Sequence, residues 1–254
     1  MHESVDYEVH AGIATITMNR PSNRNALAAE LVNAVGDGLI AGRDDDTVRA
    51  IVLTNAGTTF CAGADLKGTS QEAPRYDLVQ LFRLMQDNPK PVIGRIAGHC
   101  TGGGVGLAAA CDISLVADDA LLGFTEVRLG VSAAMISVVC VPKMRHGDAM
   151  ELLLSGEKIS AARAAEVGLV NRAVPRDELD SALDDLLAKV VRGGPNALSA
   201  SKQLVSRVPS MTKDDAYAWT QPLSAELFLS DEAAAGIAAF REKRDAPWVP
   251  GAST

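Results

Sequence analysis

Two different periodicities divide the chain, and that division restricts the fold more than any other feature. Up to Ala117, strand-like stretches take turns with stretches whose apolar residues recur at helical spacing. Ala11–Met18 places Ala14, Ile16 and Met18 on one side of a strand, and Leu27, Leu31 and Val35 then mark a helix that the spacing ends near Gly36 and Gly38. Ala50–Thr54 reads as a buried strand, followed by a Gly/Thr-rich loop to about Ala73. A helix over Tyr76–Gln86 must stop before Pro89. A strand over Val92–Ala97, a glycine-dense turn over Gly98–Gly106, a helix over Leu107–Cys111 and a strand over Ile113–Ala117 complete this half. Beyond it the pattern is helical only: Met150–Leu154, Ala161–Glu166, Glu178–Val191, Ala197–Val208, Lys213–Leu229 and Asp231–Glu242. In the clearest of these, Leu179, Leu183, Leu186, Leu187, Val190 and Val191 share one face, which closes at Gly193-Gly194 and restarts at Pro195. The pattern predicts an α/β body with a helical C-terminal third, with no repeat and no linker long enough to separate independent domains.

Composition narrows the partners. With 24 Lys+Arg against 32 Asp+Glu, the net charge is −8. That balance argues against phosphate neutralisation, and 10 aromatic residues (5 Phe, 3 Tyr, 2 Trp) are too few for base-stacking platforms, so no nucleic acid is expected. No apolar run reaches a membrane-spanning length of roughly 18 residues; the longest, Gly102–Ala117, is interrupted by Asp112. The acidic start lacks a basic and apolar leader pattern, so a soluble, cytoplasmic protein is expected. Cys61, Cys100, Cys111 and Cys140 and His2, His10, His99 and His146 are scattered, which predicts neither a disulfide framework nor a metal site.

Two segments carry more glycine than a turn requires: Phe60-Cys-Ala-Gly-Ala-Asp-Leu-Lys67 and Gly98-His-Cys-Thr-Gly-Gly-Gly-Val-Gly106, each after a strand. Glycine lets a ligand approach the backbone, and a helix start offers unpaired N–H groups. Two such loops could aim two amides at one oxygen. The other local reading of Gly102-Gly-Gly is tight packing of a helix on a strand. A dinucleotide or phosphate-binding loop fits poorly, because neither Gly-x-Gly-x-x-Gly spacing nor a Walker lysine is present.

An ordered set of segments then resembles the crotonase (enoyl-CoA hydratase/isomerase) superfamily over nearly the whole chain. They are Asn19–Leu27 (NRPSNRNAL), Phe60–Lys67 (FCAGADLK), Lys90–Gly98 (KPVIGRIAG), Gly102–Ile113 (GGGVGLAAACDI), Phe124–Gly130 (FTEVRLG), Leu154–Ser160, Gly168–Asn171 and Phe240–Arg244. The resemblance implies a spiral of ββα units over residues 1–195, with a helical trimerisation region over 196–254. It also implies an acyl-CoA thioester as substrate, no cofactor beyond the coenzyme A of that substrate, and a homotrimer or dimer of trimers. By position, the amides of Ala64 and Gly103 would form the oxyanion hole and the Ala62 carbonyl would meet the adenine amine. Arg24, Ala26, Asp65, Leu66 and Lys67 would line or flank the CoA site. Arg24 and Lys67 also fit a reading as solvated surface charge. Phe240, Lys243 and Arg244 match a segment that can reach CoA across a subunit boundary.

Water addition needs a proton taken from water and a proton delivered to carbon. Well-known hydratases of the family use two glutamates. The position of one, three residues beyond the oxyanion glycine, is Gly106 here; the other is present as Glu126. The resemblance therefore implies an enoyl-CoA hydratase with Glu126 as proton donor. The alternatives are an enoyl-CoA isomerase using Glu126 as its single base and a non-catalytic acyl-CoA-binding protein. Glu72, in the Gly68–Asp77 segment, is the expected substitute if a second carboxylate exists. His99, Cys61 and Cys100 are read as structural, and Asp112 as a local acceptor for backbone donors.

Overall fold

The computed structural model of the protein describes residues 3–66, 68 and 72–251. The chain opens with a hairpin of β1 (Val5–His10) and β2 (Ile13–Met18), turned by Ala11 and Gly12 at φ 49° and 77°. Two positive φ values in a two-residue turn match the strand twist of a type I′ hairpin. Then follow α1 (Ala29–Asp44), β3 (Ala50–Asn55), β4 (Thr59–Cys61), α2 (Leu78–Gln86), β5 (Val92–Ile96), β6 (His99–Thr101), α3 (Gly103–Ala110), β7 (Ile113–Ala117), β8 (Leu121–Gly123) and α4 (Ala134–Cys140). The remainder is α5 (His146–Ser155), β9 (Lys158–Ser160), α6 (Ala161–Glu166), β10 (Arg172–Val174), α7 (Leu179–Val190), α8 (Pro195–Arg207), α9 (Lys213–Phe228) and α10 (Asp231–Glu242).

The strands make two sheets. One has the order β1-β2-β3-β5-β7-β10, parallel except for the β1–β2 hairpin; the other has the order β4-β6-β8-β9, with only β8–β9 antiparallel. Successive units β3-β4-α2, β5-β6-α3 and β7-β8-α4 each place one strand in each sheet before a helix, so the backbone advances as a spiral of ββα units. The fold is thus the mixed α/β spiral that the sequence implied. All six residues of β3 are buried, as a parallel strand covered on both faces requires. The main core lies between the sheets and helices α1 to α6. A second cluster seats Leu179, Leu183 and Leu186 of α7 on Val52, Ile93 and Leu115 across the large sheet.

Two expectations about elements need correction. Helix α1 does not end at Gly36 and Gly38 but runs on to Asp44. Its glycines are packing sites: a Cβ on Gly36 would meet the Tyr76 ring at 2.5 Å, and one on Gly38 would meet Ile16 Cδ1 at 3.1 Å. The part beyond Ala117 is not helical only: it holds the unforeseen helix α4 and also β8, β9 and β10, three-residue strands too short to show a period. Among the described residues no helix is long and apolar enough to cross a membrane.

Candidate active site

The site is assembled by a knot of backbone around Asn25. Residues Arg24 and Asn25 take left-handed φ values of 52° and 49°, a region asparagine tolerates better than most residues. The fully buried Asn25 side chain accepts from the Arg20 amide at 2.7 Å and donates to the carbonyls of Thr59 and Ala56 at 2.8 and 3.2 Å. This ties the loop after β2 to the start of β4. Two further bonds extend the tie: Ala62 N to Arg24 O at 3.0 Å and Leu27 N to Gly63 O at 2.8 Å. Leu27 and Ala64 form an isolated parallel bridge. The Leu27 amide donates to the residue preceding Ala64, so the amide of Ala64 itself stays out of the ladder.

The second glycine loop is pressed onto the first. Gly63, at φ 85°, has room for no side chain, since a Cβ would stand 2.9 Å from Thr101 O and 3.3 Å from Gly103 N. A Cβ on Gly104 would collide with the carbonyl of Cys61. The tight-packing reading of the glycine run therefore holds at Gly104. Gly102 (φ 53°, ψ −124°) turns the chain into α3, leaving Gly103 as its first residue with an amide that has no intrahelical acceptor. Among the described residues no acceptor takes the amide of Ala64 or of Gly103.

Both residues face one cavity of about 520 Å³. Glu126 enters it from a 3-10 turn, Thr125–Leu129, that leaves the end of β8. Its Oε1 would lie 3.2 Å from a Cβ on Gly102, a tight contact at a position whose left-handed φ already favours glycine. Its Oε2 is buried and, among the described residues, has no hydrogen-bond partner. Leaving a buried carboxyl oxygen unpaired costs free energy, so an orphan of this kind in a cavity is an exception that calls for an explanation. Glu126 is the single charged residue among those described that line the cavity, and Tyr76, Thr125 and Ser132 are the others with polar side chains.

Of the residues expected at the site, Ala62, Ala64, Leu66, Gly103 and Glu126 line this cavity together. Leu66 is 77% exposed at its mouth. The Ala62 carbonyl already accepts from Thr101 Oγ1 at 2.9 Å, which leaves one lone pair for a ligand. Arg24 is exposed next to the Ala62 loop rather than in the cavity, and Asp65 is half-buried outside the lining. Ala26 is buried, its amide donating to Asn23 and its carbonyl accepting from Ala28. Lys67 lies outside the described residues.

Glu72 does not supply a second carboxylate to the cavity: it accepts from Asn33 Nδ2 on α1 at 3.3 Å and is not part of the lining. The space beside Gly106 is filled instead. A Cβ there would meet Ile136 Cγ2 at 2.5 Å and Phe82 Cζ at 2.8 Å, and Ile136 forms the cavity wall at that point. The ring of Tyr76 was not visible as a site residue in the sequence, because the fold of the 72–77 segment brings it in from outside the two glycine loops.

The remaining singled-out residues are not part of the cavity lining. His99 Nδ1 accepts from the Leu121 amide at 3.0 Å. Cys61 and Cys100 are fully buried, and burial pushes the Cys61 thiol up to about 12, where it stays neutral. Asp112 accepts from the Val92 amide, as expected, and also pairs with Lys202 at 2.7 Å. Phe240 is exposed, and Arg244 pairs with Glu242. Among the described residues no group of three metal-ligating side chains occurs.

Comparison with known proteins agrees with this fold. The family model described as enoyl-CoA hydratase/isomerase matches residues 8–250. A protein of Thermus thermophilus that carries an enoyl-CoA hydratase name is 34% identical over 241 residues, 91% of this chain and 95% of its own. The crystal structure of an enoyl-CoA hydratase from Mycobacterium smegmatis superposes with a TM-score of 0.88 at 31% identity, covering 96% of this chain and 98% of that one. An enoyl-CoA hydratase/isomerase from Marinobacter aquaeolei gives 0.89 at 29% identity, covering 97% and 99%. The spiral fold, the paired glycine loops and a family match across almost the full length lead to one conclusion: the chain belongs to the enoyl-CoA hydratase/isomerase family, the crotonase superfamily.

Proposed function

We propose that this protein is an enoyl-CoA hydratase in which Glu126 is the acid/base group and the amides of Ala64 and Gly103 form the oxyanion hole. The observation that carries the reading is the meeting, in one cavity, of two amides without acceptors and a buried carboxylate oxygen without a partner. Glu126 takes a proton from water as the water oxygen bonds to C3 of a 2-enoyl-CoA. The electron pair of the C2–C3 bond moves onto the thioester oxygen, where the two amides hold the enolate. Glu126 then returns the proton to C2, and the carboxylate is restored. Fixed donors favour the charged enolate over the neutral ground state; losing one in a comparable hole costs about 3 kcal/mol. Every proton and charge is handled by these groups, so the reading requires no cofactor beyond the coenzyme A of the substrate.

A second reading is favoured by one observation, the apolar filling beside Gly106 by Ile136 and Phe82. With no second carboxylate there, Glu126 could instead carry a proton from C2 to C4 of a 3-enoyl-CoA, an isomerisation needing one base. A third reading, a non-catalytic acyl-CoA binder, requires Glu126 to be dispensable. The experiment is turnover of crotonyl-CoA and of a 3-enoyl-CoA by the wild type and Glu126→Gln, followed by mass. Gain of one water from crotonyl-CoA, lost in the variant with affinity retained, is the expected result. Conversion of the 3-enoyl substrate without mass change would establish the isomerase, and turnover surviving in the variant would overturn the role of Glu126.

We also read the protein as a homotrimer or dimer of trimers through its 196–254 region. The support is exposed apolar surface: α9 buries none of its residues, and Phe228, Leu229 and Phe240 are 74%, 87% and 84% exposed. Surface of that kind marks an interaction site. A cytoplasmic location is supported by four free, buried cysteines, which suit a reducing compartment.

A further inference from the structure

Pro74 and Tyr76 bring part of the cavity wall from the segment before α2, which belongs to no strand or helix. Side chains on one face of α1 hold that segment in place. Asn33, Gly36 and Asp37 stand at i, i+3 and i+4 of α1, the spacing that puts them on one face. Asn33 is 1% exposed; it donates to Ala73 O at 3.0 Å and accepts from the Arg75 amide at 2.7 Å. Gly36 leaves the room that the Tyr76 ring fills. Asp37 accepts from the Tyr76 hydroxyl at 3.0 Å and from both terminal nitrogens of Arg75. Neither Asn33 nor Asp37 lines the cavity, so these bonds act from behind the wall. Tyr76 also lines a second cavity of about 310 Å³, together with the exposed side chains of Arg43, Gln80, Arg83 and Asp87. Among the described residues it is the one that lines both, so the seated ring parts the Glu126 cavity from a cleft of exposed charged groups.

We propose that Asp37 is a positioning residue of this site: it latches Tyr76 in its seat, and the affinity for an acyl-CoA depends on that latch. The inference rests on the acyl-CoA reading above. An unseated ring opens the cavity toward the charged cleft, and a binding-competent state populated for only part of the time weakens apparent affinity by that fraction. A bound acyl-CoA holds the seated state, so the chemistry at Glu126 is untouched once the site is saturated. The latch therefore governs KM and leaves kcat alone.

The test uses the full chain with butanoyl-CoA, a saturated thioester that cannot be hydrated, as the probe. Trypsin cuts after Arg75, and the rate of that one cut, read by mass, reports how often the segment leaves its seat. Asp37→Ala should be cut about tenfold faster than the wild type and Tyr76→Phe about threefold faster. The first loses the Arg75 pair and the acceptor of the hydroxyl, the second only the hydroxyl. Saturating butanoyl-CoA should return both to within about twofold of the wild type. By calorimetry, Asp37→Ala should bind butanoyl-CoA about tenfold more weakly and Tyr76→Phe about threefold more weakly. The double variant should bind no worse than Asp37→Ala alone, because the hydroxyl has already lost its acceptor. With crotonyl-CoA, KM should rise by the same factors while kcat changes less than about twofold. An unchanged cut in Asp37→Ala overturns the latch. A faster cut with unchanged affinity overturns its role at the site, and additive effects in the double variant overturn the Tyr76–Asp37 bond as its route. A kcat that falls at unchanged KM overturns positioning of this kind. A wild type that binds butanoyl-CoA without hydrating crotonyl-CoA overturns the proposed hydration and leaves this inference open to the same binding and cleavage outcomes; one that binds no acyl-CoA overturns both.

Discussion

Glu126 and Gly106 show how a single position changes meaning with its neighbours. The carboxylate at 126 was legible from the FTEVR segment, and so was the absence of one at 106. What fills the place of a side chain at 106 was not legible, because Ile136 and Phe82 reach it from two helices distant in sequence. Gly106→Ala is expected to destabilise the protein by about 1–3 kcal/mol, because the methyl group must displace Ile136 Cγ2 or Phe82 Cζ from a packed core. Urea unfolding checks this: a lower midpoint at unchanged slope is the expected outcome, and an unchanged midpoint would mean that the wall yields freely. Asn25 belongs to the same scale. The sequence marked its segment only as part of the NRPSNRNAL match, but the three hydrogen bonds that make it the knot of the site connect residues up to 34 positions apart.

Between elements, buried polar pairs hold the helical C-terminal part to the spiral. Lys202 on α8 donates to Lys90 O at 3.0 Å and Met85 O at 3.3 Å and pairs with Asp112 at 2.7 Å. Burial raises the Asp112 carboxyl above its ordinary value, and the Lys202 charge works against that rise. Lys202→Met removes the ammonium from Asp112, which keeps its bond from the Val92 amide, and from the two carbonyls. The expected loss is about 3 kcal/mol, or a fall in Tm of roughly 10 °C; a fall under about 2 °C would show that water replaces the ammonium. Asp148 on α5 behaves in the opposite sense. Its hydrogen bond from Arg145, followed by the charges of Arg145 and Arg163, holds its carboxyl below the usual range. The unfolded carboxyl, near 3.9, therefore takes up a proton first as pH falls. The stability from this cluster is complete above that pH and is lost as pH falls through the lower folded value. Asp148→Asn should lower Tm at neutral pH and flatten its acid limb. A variant whose Tm falls with acid as steeply as the wild type would exclude Asp148 as a source of that limb.

At the scale of the whole molecule, the exposed apolar residues of α9, α10 and the turn between them are the least explained by a single chain. A charge at the most exposed of them should separate subunits if they face a second copy. Leu229→Asp is expected to shift the sedimentation coefficient from that of a trimer or larger species toward that of the 26.6 kDa chain, with little change in far-UV circular dichroism. An unchanged coefficient would move the interface to another surface. Conversely, a wild type that already sediments as a single chain would leave these residues without a covering partner.

The sequence by itself determined the class and much of the order. Alternating periodicity, the buried run of β3, the α7 face and the start of α10 at Asp231 are local properties, set by side-chain spacing and turn residues and therefore readable in a short window. Local signals also located both glycine loops and Glu126. Tertiary structure decided where α1 ends, since Gly36 and Gly38 break helices only when nothing is gained by close approach, and here Tyr76 and Ile16 occupy the space above them. It also decided the short strands of the second sheet, three residues each, which are too brief to carry a period and form because partner strands lie beside them. And it decided the shape and chemistry of the cavity. Its walls come from α1, the 72–78 segment, the 3-10 turn and α4, and the distances among them depend on packing that no local spacing encodes.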